Sequence, residues 1–206
     1  MRIKITVGVA AVLSLAACTT AAPAQDAPRV VIETDAGRMV VELDLAHAPL
    51  STCNFLAYAT DGQYDGGSVL RTVVSATNTS NPNPIDVIQA ATPRGSDDAS
   101  QPPIPLERTR DTGLSHIAGT ISMARGGPDT ATSSFFIVTQ DTPSLDFGGD
   151  RNPDGQGFAA FGHLTEGLDV ARRIQMSPAN TEEQLTPPVV IRSARLDGEV
   201  PPECRP

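Results

Sequence analysis

Alternating apolar and polar positions organise most of this chain into short extended segments. Arg29-Val-Val-Ile-Glu-Thr34 and Arg38-Met-Val-Val-Glu-Leu43 are β-branched runs around Asp35-Ala-Gly37, and a glycine-bearing turn between such runs predicts a β-hairpin. Pro49 suits the first turn of a helix, Phe55, Leu56 and Ala59 give it an apolar face, and Asp61-Gly62 ends it. A strand is expected over residues 69–74. Residues 75–84, with three Asn and two Pro, read as a loop before another strand over 85–90. Residues 92–112 are polar and proline-rich, hence a long surface excursion. Strands over 119–124 and 134–139 flank Arg125-Gly-Gly-Pro-Asp-Thr130. A strand over 159–164 leads into a helix over 167–176, and a strand over 189–196 closes the pattern. Many short strands, two helices and no β-α-β alternation predict a mainly β chain, a closed antiparallel barrel or a sandwich.

The first residues follow a different rule. Arg2 and Lys4 precede the largely apolar run 5–17, shorter than the roughly 20 residues a membrane-spanning helix needs and suited to the core of an export signal. The run ends in Leu15-Ala16-Ala17-Cys18, which resembles the lipobox of bacterial lipoproteins. That resemblance implies a signal peptide over 1–17, cleavage before Cys18, and lipidation of Cys18 on its sulfur and amine, several acyl chains giving stable anchoring. A plain secretory signal cut near Ala22 or Ala24, with Cys18 incidental, is the other reading. Thr19 after the cysteine, by resemblance to enterobacterial sorting, points to the outer membrane from the periplasmic side of the envelope. Residues 18–28, rich in Ala, Thr and Pro, read as a tether, 29–198 as the domain, and 199–206 as a tail.

Composition narrows the chemistry. The 206 residues suit one domain. A net charge of −9 argues against nucleic acid as a partner, because phosphate binding needs a basic face. Three cysteines are too few for a disulfide scaffold. Export would put Cys53 and Cys204 in an oxidising space, where a bridge and two free thiols both stand as readings.

The stretch Gly119-Thr-Ile-Ser-Met-Ala-Arg-Gly-Gly-Pro-Asp-Thr-Ala-Thr-Ser-Ser-Phe-Phe-Ile137, with Asn54-Phe55-Leu56, Leu145-Asp146 and Ala160-Phe161-Gly162 around it, resembles the cyclophilins, the barrel-type peptidyl-prolyl isomerases. The resemblance runs over roughly 30–197. It implies a closed eight-stranded antiparallel β-barrel capped by two α-helices, acting on proline-containing polypeptides without cofactor or metal. By the same resemblance Arg71 is the catalytic arginine, and Gln89 holds the substrate backbone and orients it. Phe136 floors a proline pocket walled by Val87, Met123 and Leu145. Ala124 and Arg125 offer backbone groups to the residues before proline, and Phe158 stands where many members carry His. A monomer is expected.

Several positions depart from the family pattern. Val69-Leu70 replaces Phe-His before the arginine, Asp86-Val87 replaces Phe-Met before the glutamine, and Ala90 and Ala91 replace two glycines after it. Ser134 stands for Gln, Ser144 for a frequent Trp, and residues 75–84 are inserted beside the site. These thinned shaping residues imply a weak or selective isomerase. The alternative is a non-enzymatic module holding proline-containing segments as chaperone or adaptor, which Asp86, Ser134 and Ser144 favour. A merely structural lipoprotein would lead if the insertion filled the groove. Convergence of Arg71, Gln89 and Phe136 on one open groove separates these readings.

Three lesser signals have plain explanations. Asp150-Arg-Asn152-Pro-Asp154-Gly155 matches the first half of a calcium loop, but its twelfth position is Phe161 rather than Glu, so a turn-rich loop is preferred. His47, His116 and His163 lack metal-ligand spacing and read as surface or structural histidines. Gly155-Gln-Gly157 lacks the strand–helix context of a nucleotide loop.

Overall fold

Each strand of a barrel has one face toward the interior and one toward solvent or a covering layer, so the alternation above becomes a division of labour. The computed structural model describes residues 27–78 and 82–205. Eight strands close in the order β1 (Arg29–Thr34), β2 (Gly37–Leu43), β7 (Ala159–Glu166), β5 (Thr120–Met123), β6 (Phe135–Val138), β4 (Val87–Ala91), β3 (Ser68–Val73), β8 (Gln184–Asp197). All pairings are antiparallel. The expected hairpin is β1–β2, in register from Arg29 opposite Glu42 to Thr34 opposite Gly37. Val30, Ile32, Val41, Ile121, Ile137 and Phe161 point inward and are buried.

Two helices lie against the barrel, as expected. Helix α1 (Pro49–Thr60) packs on β7 and β8, and its Phe55 ring sits 5.2 Å edge-on from Phe135 and 5.5 Å from Phe161. Ala48 gives the helix no side-chain cap. Glu107, from the long excursion, accepts the Leu50 and Ser51 N–H groups at 2.9 and 2.8 Å instead, placing a negative charge at the positive helix end. Helix α3 (Leu168–Gln175) buries Val170, Ala171 and Ile174 and contacts β2, β3 and β4. Gly167, at φ +88°, starts it; a Cβ there would meet the Arg38 carbonyl oxygen at 2.5 Å, so only glycine lets the chain leave β7 this close to β2.

Three differences from the sequence reading have local causes. Strand β4 begins at Val87 rather than 85, because the Asp86 carboxylate accepts the Ser75 N–H (3.1 Å) and the Gln175 amide (2.9 Å) and ties the chain to the β3 exit and α3. Strand β8 begins at Gln184, earlier than the prolines at 187 and 188 suggested. The excursion over 92–112 contains a single-turn helix, α2 (Thr109–Thr112), closed by Gly113 at φ +74°. Signal peptide, Cys18 and the tether up to residue 26 lie outside the described residues.

The open question about the cysteines resolves in favour of a bridge. Cys53 on α1 and Cys204, in a 3-10 turn at Pro202–Cys204, form a disulfide with Cα atoms 4.9 Å apart. It clamps the chain end onto the helix that seals the barrel. Replacing both cysteines by serine removes a cross-link spanning 151 residues, and should lower the unfolding free energy by about 2–5 kcal/mol in urea titrations followed by circular dichroism.

Candidate active site

Cross-strand register carries the site. Arg71 on β3 stands opposite Gln89 on β4, and Gln89 stands opposite Phe136 on β6. Three neighbouring strands thus present a guanidinium, an amide and an aromatic ring in one row on the barrel's outer face. Arg71 Nη1 donates to Gln89 Oε1 at 3.3 Å, and Gln89 Nε2 donates to Ser134 Oγ at 3.1 Å. Ser134 in turn donates to the Ala90 carbonyl at 2.9 Å. The serine that departs from the family pattern therefore fixes the amide that orients the arginine.

Phe136 lies in a compact outer cluster with Val73, Ile85, Val87, Val138 and Leu145, flanked by Ala124 and Phe158. Phe158 meets it edge-on at 5.4 Å, a favourable aromatic geometry. Met123, expected as a wall, does not join this cluster. It packs in the barrel interior because β5 alternates, and Ser122 takes the outward position beside Phe136.

Arg125 contributes its backbone to this face but not its charge. Its side chain is only 1% exposed, its guanidinium lies 4.9 Å over Phe158, and it donates to Asp154 (2.7 and 3.0 Å) and to the Gly157 carbonyl (2.9 Å). That guanidinium holds the Asp154 carboxyl below its usual range. The loop resembling half a calcium site thus gives Asp154, the second of its two carboxylates, to an arginine. Among the described residues, no group of three or more His, Cys, Asp or Glu side chains could hold a metal.

Two partners of the site gave no signal in the sequence. Glu183, at φ +64° just before β8, accepts from Arg71 Nε at 3.1 Å and also pairs with Nη2. Asn78 donates to its other oxygen at 2.6 Å. The second partner lies beneath Phe136. His116, 1% exposed, stacks on that ring at 5.9 Å, takes Asp146 at 2.6 Å through Nδ1, and meets Ser122 Oγ at 2.9 Å through Nε2. This has the connectivity of a hydrolase triad, but Ser122 is fully buried and no substrate reaches it. The three side chains support the pocket floor, which makes His116 the structural histidine anticipated. His47 pairs with Asp44 at the surface and His163 is exposed.

Asp86 does not enter the row formed by these residues; residues 79–81 of the inserted 75–84 segment lie outside the described residues. Asp86 is buried against Gln175, away from the row. Next to the row, a cavity of about 630 Å³ opens between Gln89, Ala124, Arg125, Ser134 and the loop over 96–103. Asn54 on α1 and Tyr64 hold its edge, donating to the carbonyls of Thr132 (2.5 Å) and Ser133 (2.7 Å).

The model of the cyclophilin-type peptidyl-prolyl cis-trans isomerase family matches residues 29–196. The chain belongs to the cyclophilins. A peptidyl-prolyl cis-trans isomerase A of Dickeya dadantii is 36% identical over 200 residues, covering 94% of this chain and 97% of its own. The isomerase cyp18 of Streptomyces antibioticus is 34% identical over 174 residues, 82% of this chain and 98% of that one. Among solved structures, a Cryptosporidium parvum cyclophilin-type isomerase superimposes with a TM-score of 0.68 at 21% identity, over 84% of this chain and 99% of its own. Within the cyclophilin barrel, then, this chain sets Arg71, Gln89 and Phe136 in one row and surrounds them with Ser134, Glu183 and His116.

His116→Ala would leave Asp146 and Ser122 without their shared partner beneath the pocket floor. It should cost about 1–3 kcal/mol of stability in urea unfolding.

Proposed function

We propose that this cyclophilin catalyses cis-trans isomerisation of X–Pro bonds in exported proteins and works from a lipid anchor at Cys18. The observation that carries the catalytic part is the Arg71–Gln89–Phe136 row across three neighbouring strands. Rotating an amide breaks its resonance, at a barrier of about 18–20 kcal/mol. At the twisted geometry the proline nitrogen regains a lone pair and accepts a hydrogen bond. A fixed cationic donor favours that state over the planar one, so it acts on the barrier rather than on ground-state binding alone. Phe136 and Leu145 take the proline ring. Backbone groups of Ala124 and Arg125 hold the preceding residues, and Arg71 reaches the nitrogen with the donors left over from Glu183 and Gln89.

Two of the three features that favoured a non-enzymatic module lose their force. Asp86 anchors β4 to α3, and Ser134 steadies Gln89, so neither obstructs the groove. Arg71→Ala should lower kcat/KM by about 10- to 150-fold, the worth of one charge-assisted hydrogen bond, in a protease-coupled proline-peptide assay. Equal rates for the two proteins would overturn the mechanism.

Export is supported by the leader pattern over 1–17 and by the Cys53–Cys204 bridge, since disulfides persist in oxidising compartments. Cys18→Ser should move the protein from the membrane fraction to the aqueous fraction of lysed cells. Retention in the membrane would remove the lipid-anchor reading and leave the isomerase reading intact.

A further inference from the structure

The two loops flanking the groove at its β3 side are tied together. Arg151, in the loop after the 3-10 turn at Pro143–Leu145, donates its main-chain N–H to the Ser144 carbonyl (3.1 Å) and its Nη1 to the Asn83 carbonyl (3.2 Å) in the inserted segment. Asn83 Nδ2 donates back to the Asp150 carbonyl at 3.0 Å. This loop lies hard against the pocket wall, since a Cβ at Gly149 would meet the Ser144 carbonyl oxygen at 2.4 Å. Arg151 is thereby held beside Leu145, at the position where Ser144 stands for the family's tryptophan.

The Arg151 side chain is half-buried and pairs with no carboxylate among the described residues. Its Nε and Nη2 donors have no hydrogen-bond partner there either. Burial presses its guanidinium toward the neutral form, the nearby Arg71 adds to that, and Glu183 opposes it. Glu183 is already held by Arg71 and Asn78. Two guanidiniums therefore share one carboxylate, and this end of the groove carries a surplus positive charge with donors to spare. A desolvated cation without a counterion is costly, and an arriving carboxylate relieves that cost.

We propose that Arg151 is a specificity-determining residue that selects substrates with an acidic side chain one or two positions after the isomerised proline. Strand order sets the direction. The cavity for residues before proline lies on the β5–β6 side of Gln89, whereas Arg71 and Glu183 lie on the opposite, β3–β8 side, with Arg151 within electrostatic reach of both and tied to Asn83 in the β3–β4 connection. The chain leaving the proline pocket passes them. Because that acidic group sits away from the rotating bond, Arg151 binds planar and twisted forms alike, so its effect falls on KM and leaves kcat unchanged.

This inference rests on the isomerase reading, and the test separates the two. Blocked peptides Ala-Ala-Pro-Glu-Ala and Ala-Ala-Pro-Gln-Ala, with Glu-Ala-Pro-Gln-Ala as positional control, are followed by NMR exchange with the full exported domain and its Arg151→Gln and Arg151→Lys variants. The wild type should favour Glu after proline about fivefold over Gln, the scale of a partly screened ion pair. The preference should reside in KM, shrink toward unity at 1 M salt, vanish in Arg151→Gln and largely survive in Arg151→Lys. The control peptide should not respond to Arg151. Turnover of all peptides with no wild-type preference, or a preference unchanged in Arg151→Gln, overturns the inference alone. Absence of turnover for every peptide overturns the isomerase reading instead. Should Arg151→Gln fail to fold, the wild-type salt series decides, because a preference insensitive to salt is not an ion pair.

Discussion

Everything at the active face depends on the register between β3, β4 and β6. A slip of one residue in any of these pairings would turn Arg71, Gln89 or Phe136 into the barrel and bring an aliphatic neighbour out. The pairings are supported on the inner side, where Phe55 packs against Phe135 and Phe161. Core packing thus sets the geometry of the row from behind, through main-chain hydrogen bonds.

On the outer side a second set of contacts supports the row. Each member has a polar or aromatic backer: Glu183 for Arg71, Ser134 for Gln89, His116 for Phe136. The Arg71–Glu183 pair is about one-third exposed, so its worth lies less in stability than in removing rotamer freedom from a long side chain. An arginine held on Nε and Nη2 by one carboxylate can present its remaining donors in a single direction. The nearby carboxylate also tempers the charge, so that two arginines can occupy one end of a groove.

How much of this was legible in the sequence follows from the range of the interactions. The strands, α1, α3 and the barrel class were readable, since period-2 alternation and turn residues are local signals. Arg71, Gln89 and Phe136 were singled out by resemblance to a family motif, and strand register sets them side by side. Met123 was misplaced because a family motif does not say which way a side chain points, whereas counting alternation from Ser122 would have. Glu183, Arg151 and His116 carried no local mark. Glu183 meets Arg71 across 112 residues and His116 meets Asp146 across 30, contacts that only closure of the barrel creates. Strand β8 was under-read because Pro187 and Pro188 look like breakers, although its first residues need few ladder bonds.

The placement of β1 has a mechanical consequence. Arg29 opens that strand and pairs with Glu42 on one side and Asp197 on the other, so β1 is flanked along its whole length. A pull on the chain from residue 28 outward therefore loads both hydrogen-bonded seams in shear, all rungs at once, instead of peeling a free edge one rung at a time. Nearby, the bridge from Cys204 to α1 keeps the end of the chain from fraying under the same load. A barrel held this way can be loaded at residue 28 without the β3–β4–β6 face being pulled out of shape.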